Sequence, residues 1–229
     1  MKMARLMVHV EGQTEETFVN EVLRAHLVAR GFERVDARLL GSARQRDRRG
    51  GIRGWNTVRA EILRHLSRDA GCIATTMIDY YALPQSGEKA WPGRARARSL
   101  PVPDRGRHVQ DALLRDLPSS VDRRRFVPFV VIHEFEALLF SDCRIFAETI
   151  GQPRLAASFQ AIRDSFDTPE HIDDSPTTAP SRRVEGLVPE YQKPLFGKRA
   201  ASSIGLQKIR AECPHFAAWL TRLETIAAP

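Results

Sequence analysis

The chain has 229 residues and a formal net charge of +7 at pH 7. That length suffices for one large domain, or a domain with an extension, and buries a normal core without disulfides or structural metal. The three cysteines, Cys72, Cys143 and Cys213, are odd in number and far apart, which excludes a disulfide framework and a CxxC zinc site and fits a reducing cytosol.

Arg5 to Val10 reads as a short buried strand that follows Met1-Lys2 directly. No secretory leader is recognisable, and no run approaches the roughly 20 apolar residues of a membrane span, so a cytoplasmic protein is expected. Glu11-Gly12 ends the strand. Thr14 is suited to cap a helix whose positive end favours Glu15 and Glu16, and Phe18, Val19, Val22, Leu23, Ala25 and Leu27 give that helix an apolar stripe. Val35 to Leu40 reads as a second strand, and the Arg/Gly stretch 41–54 as a loop. Trp55, Val58, Ile62 and Leu66 recur at helical spacing, with Gly71 expected to close that helix. Cys72 to Ile78 is a β-rich run ending at Asp79. Residues 80–104 read as a long insertion, followed by a helix over 105–117 and a strand from Phe126 to Ile132 that ends on His133 and Glu134. Two helices are expected between 136 and 166, a loop over 167–190, and closing helices built on Ile204, Leu206, Ile209, Phe216, Trp219, Leu220 and Leu223.

Strands alternating with helices imply an α/β protein with a mostly parallel sheet flanked by helices. The expected division is an α/β core over 1–145 and a helical C-terminal extension over 146–229 packing on it. In such sheets ligands bind outside the carboxyl ends of the strands. Glu11, Asp79 and Glu134 each directly follow a strand, so parallel neighbours bring their carboxylates to one edge. Glu15, one helical turn past Glu11, and Glu136 could join them. Converging carboxylates repel one another unless a cation is bound. Hard oxygen donors without a His/Cys set favour Mg²⁺ or Mn²⁺, which polarise a phosphodiester and activate water. Taken singly, each residue has an ordinary explanation as a solvated loop or helix-start charge.

The cations are clustered. Residues 41–54 hold Arg44, Arg46, Arg48, Arg49 and Arg53 against Asp47, and residues 88–107 hold Lys89, Arg94, Arg96, Arg98, Arg105 and Arg107 against Glu88 and Asp104, so each segment carries +4. Such loops suit a phosphate backbone, or serve as a basic solvated surface. Lys193, among Arg182, Arg183 and Lys198, is the candidate to stabilise charge developing on a phosphate. His133 is either a general base or a core histidine. The absence of GxSxG, Walker A and GxGxxG patterns argues against a hydrolase elbow, an ATPase and a dinucleotide site.

The run Val10-Glu11-Gly12-Gln13-Thr14-Glu15-Glu16 resembles the EGxTE motif of Toprim domains in overcoming-lysogenization-defect (OLD) family nucleases. The whole chain resembles the DUF4276 family of small Toprim-related proteins. The resemblance rests further on Met77 to Pro84, His133 to Asp142, Thr177 to Arg183 and Cys213 to Phe216. It implies a Toprim/Rossmann-like fold, with Glu11 as metal ligand or general acid/base and Asp79 as the first aspartate of a DxD motif. Tyr81 stands where the second aspartate falls, and Glu134 or Glu136 could supply the missing carboxylate. The implied activity is Mg²⁺- or Mn²⁺-dependent cleavage of DNA or RNA, with an ABC- or AAA-type ATPase partner in phage defence. The alternative is a catalytically weakened module that binds nucleic acid or a partner without cutting.

Overall fold

The computed structural model describes residues 4–40, 52–172, 175 and 177–227. Strand β1 (Arg5–Val10) alternates as a two-sided buried strand must: Leu6, Val8 and Val10 enter one apolar cluster, while Met7 packs against the other. Helix α1 (Gln13–Phe18) passes through a π-helical turn (Val19–Leu23) into α2 (Arg24–Ala29). Gly12, not Thr14, is the N-cap. Its N–H is taken by the Glu15 carboxylate at 2.9 Å, and Thr14 is buried in the first turn. The sequence expectation is corrected because a longer side chain one turn on reaches the orphan donor.

Strand β2 (Arg34–Leu39) is followed, after the undescribed stretch, by α3 (Trp55–Arg68). That helix ends on Asp69, two residues before the expected Gly71. Strand β3 (Cys72–Asp79) is buried almost throughout. The long insertion contains the short helix α4 (Arg94–Ala97), and α5 (Val102–Arg115) follows. The expected strand over 126–132 is instead two pieces, β4 (Phe126–Val127) and β5 (Val130–Val131). Pro128 has no N–H to give the ladder. Across the break the Thr76 hydroxyl replaces a backbone partner, accepting from Phe129 N–H at 2.9 Å and donating to Phe129 O at 2.8 Å.

The strands pair in the order β2-β1-β3-β4, with β5 also on β3, and every pairing is parallel. The register sets Val10 beside Leu39 and Met77, and Asp79 beside Val131. The residues after β1, β3 and β5 therefore leave the sheet on one edge. One side of the sheet is covered by Trp55, Val58, Ile62, Val109 and Leu113 of α3 and α5.

Past β5, a buried 3₁₀ segment (Phe135–Ser141) leads into α6 (Cys143–Thr149) and α7 (Ala156–Asp164). The expected loop over 167–190 contains α8 (Pro180–Leu187), started by a proline at its first position. A π-helical turn (Lys193–Gly197) precedes α9 (Lys198–Ile204), α10 (Leu206–Glu212) and α11 (Pro214–Ala227). Ile204, Ile209, Phe216, Trp219, Leu220 and Leu223 enter the same apolar cluster as Leu6, Val8 and Phe18, so the C-terminal helices close the second side of the sheet. No helix among the described residues is long and apolar enough to cross a membrane.

Candidate functional site

The carboxyl edge of the sheet collects five carboxylates from three chain segments. Glu11 leaves β1 and Asp79 ends β3. Two oxygens here, Glu11 Oε2 and Asp79 Oδ1, are sealed from solvent with no hydrogen-bond partner among the described residues. Glu15 is 6% exposed and fixed by the Gly12 N–H. A Cβ at Gly12 would lie 3.1 Å from Glu15 Oε2, so the small residue permits this approach.

Glu134 and Glu136 enter after His133, the one described non-glycine residue with a left-handed backbone (φ 66°). This sharp turn at the end of β5 redirects the chain into the buried 3₁₀ segment. His133 itself is fully buried, with its ring edge-on to Tyr80 at 6.4 Å. Glu134, 6% exposed, accepts the Ser181 backbone N–H at 3.0 Å, at the start of α8. Glu136 is 3% exposed.

Lys193 enters from the π-helical turn that precedes α9. Its Nζ lies 3.7 Å from Glu134 Oε1 and 3.6 Å from Glu136 Oε2. The π turn that carries it sits close against α1, where a Cβ at Gly197 would come within 3.0 Å of Thr14 Cγ2. The buried Tyr191 hydroxyl, without a hydrogen-bond partner among the described residues, also belongs to this neighbourhood. Its ionisation is pushed up by burial and by Glu136, Glu185 and Glu134.

The electrostatics follow from this crowding. Burial raises Glu11 to about 7, helped by Glu134 and Glu136 and opposed by the Asp79 N–H and Lys193. Burial raises Glu15 to about 7, with Glu11 adding to it. Glu136 is also raised to about 7, by burial first, against the pull of Lys193. Asp79 is raised well above the carboxylate range by burial and by the other four carboxylates. Burial lowers Lys193, but Glu136 and Glu134 outweigh it and hold the ammonium charged. The donors are all oxygen and suit a hard cation. Among the described residues, however, no three His, Cys, Asp or Glu side chains are already spaced as a coordination shell.

The basic segments divide. Arg44, Arg46, Arg48 and Arg49 lie outside the described residues. Arg94, expected at a nucleic-acid surface, is 4% exposed. Its guanidinium sits 3.8 Å over the Tyr80 ring and donates to Tyr80 O at 3.0 Å and to Tyr80 Oη at 2.9 Å. Its charge is spent inside the fold, which corrects that expectation. Arg53, Lys89, Arg96 and Arg98 are exposed. The two segments also meet: Trp91 Nε1 donates to Arg53 O at 2.8 Å, and a Cβ at Gly54 would come within 3.0 Å of Lys89 Cα. Arg182 is paired with Glu185 at 2.6 Å, and Arg183 donates to Thr178 O at 2.8 Å while lying over the Phe166 ring.

Sequence reasoning missed the Ser181 N–H and Tyr191. Ser181 contributes through its backbone and gives no side-chain signal. Tyr191 precedes Lys193 by two residues, which is a signal only once Lys193 has been singled out.

The fold and site thus define a parallel α/β protein with a buried carboxylate pocket at the carboxyl ends of its strands. A family described as a domain of unknown function, DUF4276, matches residues 10–224, and the chain belongs to that family. No curated protein matches the sequence. Among solved structures, the C-terminal region of the Xanthomonas campestris pv. campestris OLD protein aligns over 99% of this chain and 97% of its own, at 16% identity and a TM-score of 0.42.

Proposed function

We propose that the protein is a divalent-cation-dependent phosphodiesterase that cuts nucleic acid, with Glu11, Glu15, Asp79, Glu134 and Glu136 as the acidic set. The carrying observation is that Glu11 Oε2 and Asp79 Oδ1 are both sealed from water and unpartnered among the described residues. Buried acceptors normally have partners, and a missing partner asks for an explanation such as an ion. A bound Mg²⁺ or Mn²⁺ would polarise a phosphodiester and make water a stronger nucleophile.

The chain's own residues then divide the work. Glu11 and Asp79 offer free oxygens to the cation. Glu15 is held by the Gly12 N–H and Glu134 by the Ser181 N–H, so both carboxylates keep a fixed orientation. Lys193 neutralises Glu134 and Glu136 and is available to a phosphate oxygen that comes within its reach. Exposed Arg53, Lys89, Arg96 and Arg98 attract the polyanion. The EGxTE-like run from Glu11 to Glu16 supports the same reading. The same resemblance leads us to propose an ATPase partner in phage defence, which co-purification from the native host tests.

The direct test is incubation with single-stranded DNA, duplex DNA and RNA in Mg²⁺, Mn²⁺ or EDTA. The wild type cleaves at least one substrate with metal only, and Glu11→Gln abolishes cleavage while sparing binding. Cleavage in EDTA, or cleavage undiminished in Glu11→Gln, overturns the assignment.

A second reading is a module that binds without cutting. Two observations favour it: Lys193 already neutralises two of the five carboxylates, and no three-ligand shell is assembled among the described residues. Salt-sensitive nucleic-acid binding without metal uptake is its signature.

A further inference from the structure

Tyr81 is set apart from the other tyrosines. Tyr80 is fully buried and Tyr191 is 7% exposed, whereas Tyr81 is 42% exposed. Only three large apolar side chains are exposed among the described residues, and the other two, Val28 and Leu187, lie on α2 and at the end of α8. Tyr81 is the one beside the carboxylate pocket, two residues past Asp79. Its N–H donates to His133 O at 3.1 Å, one residue before Glu134.

The backbone that presents this ring is held on both sides. The peptide joining Tyr80 to Tyr81 has its carbonyl gripped by Arg94 Nε at 3.0 Å and its N–H by the His133 carbonyl. Ala82 N–H returns to Asp79 O at 3.2 Å, closing a turn around the pair. An apolar ring on a fixed backbone loses little freedom when something packs on it, which favours binding.

The surroundings say what would pack there. Trp91 N–H donates to Pro84 O at 3.0 Å, so the segment after Tyr81 doubles back. It continues into α4, which carries exposed Arg96 and Arg98 and is clipped to Tyr80 by Arg94. Lys89 in the same segment meets the end of the first basic stretch at Gly54. An exposed aromatic ring whose neighbour Tyr80 is tied by Arg94 to a helix bearing solvent-facing cations, beside an acidic pocket, combines the two elements of a single-strand binding surface. These are a π-face for an unpaired base and charges that follow the backbone. A duplex keeps its bases stacked within the helix and offers no free face to such a ring.

We infer that Tyr81 is a stacking platform for an unpaired nucleobase and that the ligand of this surface is single-stranded nucleic acid. The inference rests on the nucleic-acid reading above and names its substrate class. The test is made in EDTA, so that binding is read without any contribution from metal. Wild type, Tyr81→Ala and Tyr81→Phe are titrated by fluorescence anisotropy with a labelled single-stranded oligonucleotide and with the same sequence as a blunt duplex. The expected result is tighter binding of the single strand by wild type and Tyr81→Phe, and a loss of roughly tenfold in Tyr81→Ala confined to the single strand.

Tyr81→Trp supplies a second readout. The native tryptophans Trp55, Trp91 and Trp219 are no more than 4% exposed, so new exposed-tryptophan emission reports on this position. Quenching by the single strand but not by the duplex supports the inference. It is overturned if Tyr81→Ala binds the single strand as wild type does, if both ligands weaken equally, or if wild type prefers the duplex or binds neither. Wild-type cleavage in Mn²⁺, measured separately with Asp79→Asn as the inactive control, distinguishes the two failures: metal-dependent cutting by wild type with an indifferent Tyr81 sinks the platform and leaves the phosphodiesterase standing.

Discussion

Two regions of the molecule bury glutamates whose ionisation is raised to about 7, and they differ in what surrounds the oxygens. Glu170, 2% exposed, sits against the start of α11, where His215 N–H donates to its Oε2 at 2.8 Å and Phe216 N–H to its Oε1 at 2.9 Å. Both oxygens are satisfied, and the group closes a 14-residue helix. At the strand ends, Glu11 and Asp79 each keep a sealed oxygen with no partner among the described residues, and three further carboxylates crowd them. Burial alone does not distinguish a structural clamp from a site. These two regions differ instead in their unanswered acceptors, which a fold gains nothing from leaving unpaired.

The contrast can be broken most severely through activity. Glu136→Gln is expected to reduce metal-dependent cleavage on the order of 100-fold or more while the protein stays folded, since removing a buried charge among like charges relieves repulsion. Cleavage assays with melting curves check this; an unfolded Glu136→Gln variant would assign that residue to structure. Glu170→Ala should do the reverse. Stripping two buried N–H groups of their acceptor costs about 2–4 kcal/mol, which lowers Tm by roughly 5–15 °C for a chain of this size, with little change in metal affinity.

Dependence on pH sharpens the comparison. Glu11, Glu15 and Glu136 are raised to about 7 from 4.5. The folded state therefore holds these protons after the unfolded chain has released them. Stability contributed by the neutral carboxyls is fully present below about 4.5 and is lost as pH rises through about 7. A bound cation replaces those protons, so Mn²⁺ should raise Tm more at pH 8 than at pH 5.5. Saturating metal contributes about 3 kcal/mol at a hundred times its Kd, or roughly 5–10 °C. Scanning fluorimetry at both pH values measures it, and an equal shift at the two would detach metal from the carboxylates.

The smallest effect is expected at Lys193. Its side chain is 38% exposed, and its two carboxylate partners stand at 3.6 and 3.7 Å. Lys193→Met should therefore change stability by no more than about 1 kcal/mol after solvent screening. Because an ammonium competes with a metal for Glu134 and Glu136, the same variant should bind Mn²⁺ at least as tightly as wild type. Weakened binding would make Lys193 a support of the metal site rather than a competitor.

Much of this was legible in the sequence because it rests on periodicity. The strands at Arg5, Val35 and Cys72 and the helices at Trp55 and Pro214 follow from apolar spacing, and the parallel order follows from their alternation. Glu11, Asp79 and Glu134 lie around one edge because residues that end parallel strands share that edge, while Glu15, Glu136 and Lys193 are brought there by the helical turns that carry them. What failed depended on local competition. Pro128 split the last strand, Gly12 rather than Thr14 capped the first helix with Glu15 on its N–H, and α8 lay hidden in a polar run that reads as loop. Arg94 was misjudged for a different reason: whether an arginine lies over a tyrosine or faces water is decided by tertiary packing, which composition does not encode. The significance of Tyr81 was hidden likewise, because its exposure beside a buried Tyr80 is a property of the fold.

Isothermal calorimetry of Mn²⁺ into wild type and Asp79→Asn at neutral pH tests the central claim most directly. Saturable binding in wild type that is lost in Asp79→Asn, with both proteins melting as cooperative folds, is the predicted result. Binding of equal strength in the two proteins, or none in either, would contradict a metal site at the strand ends.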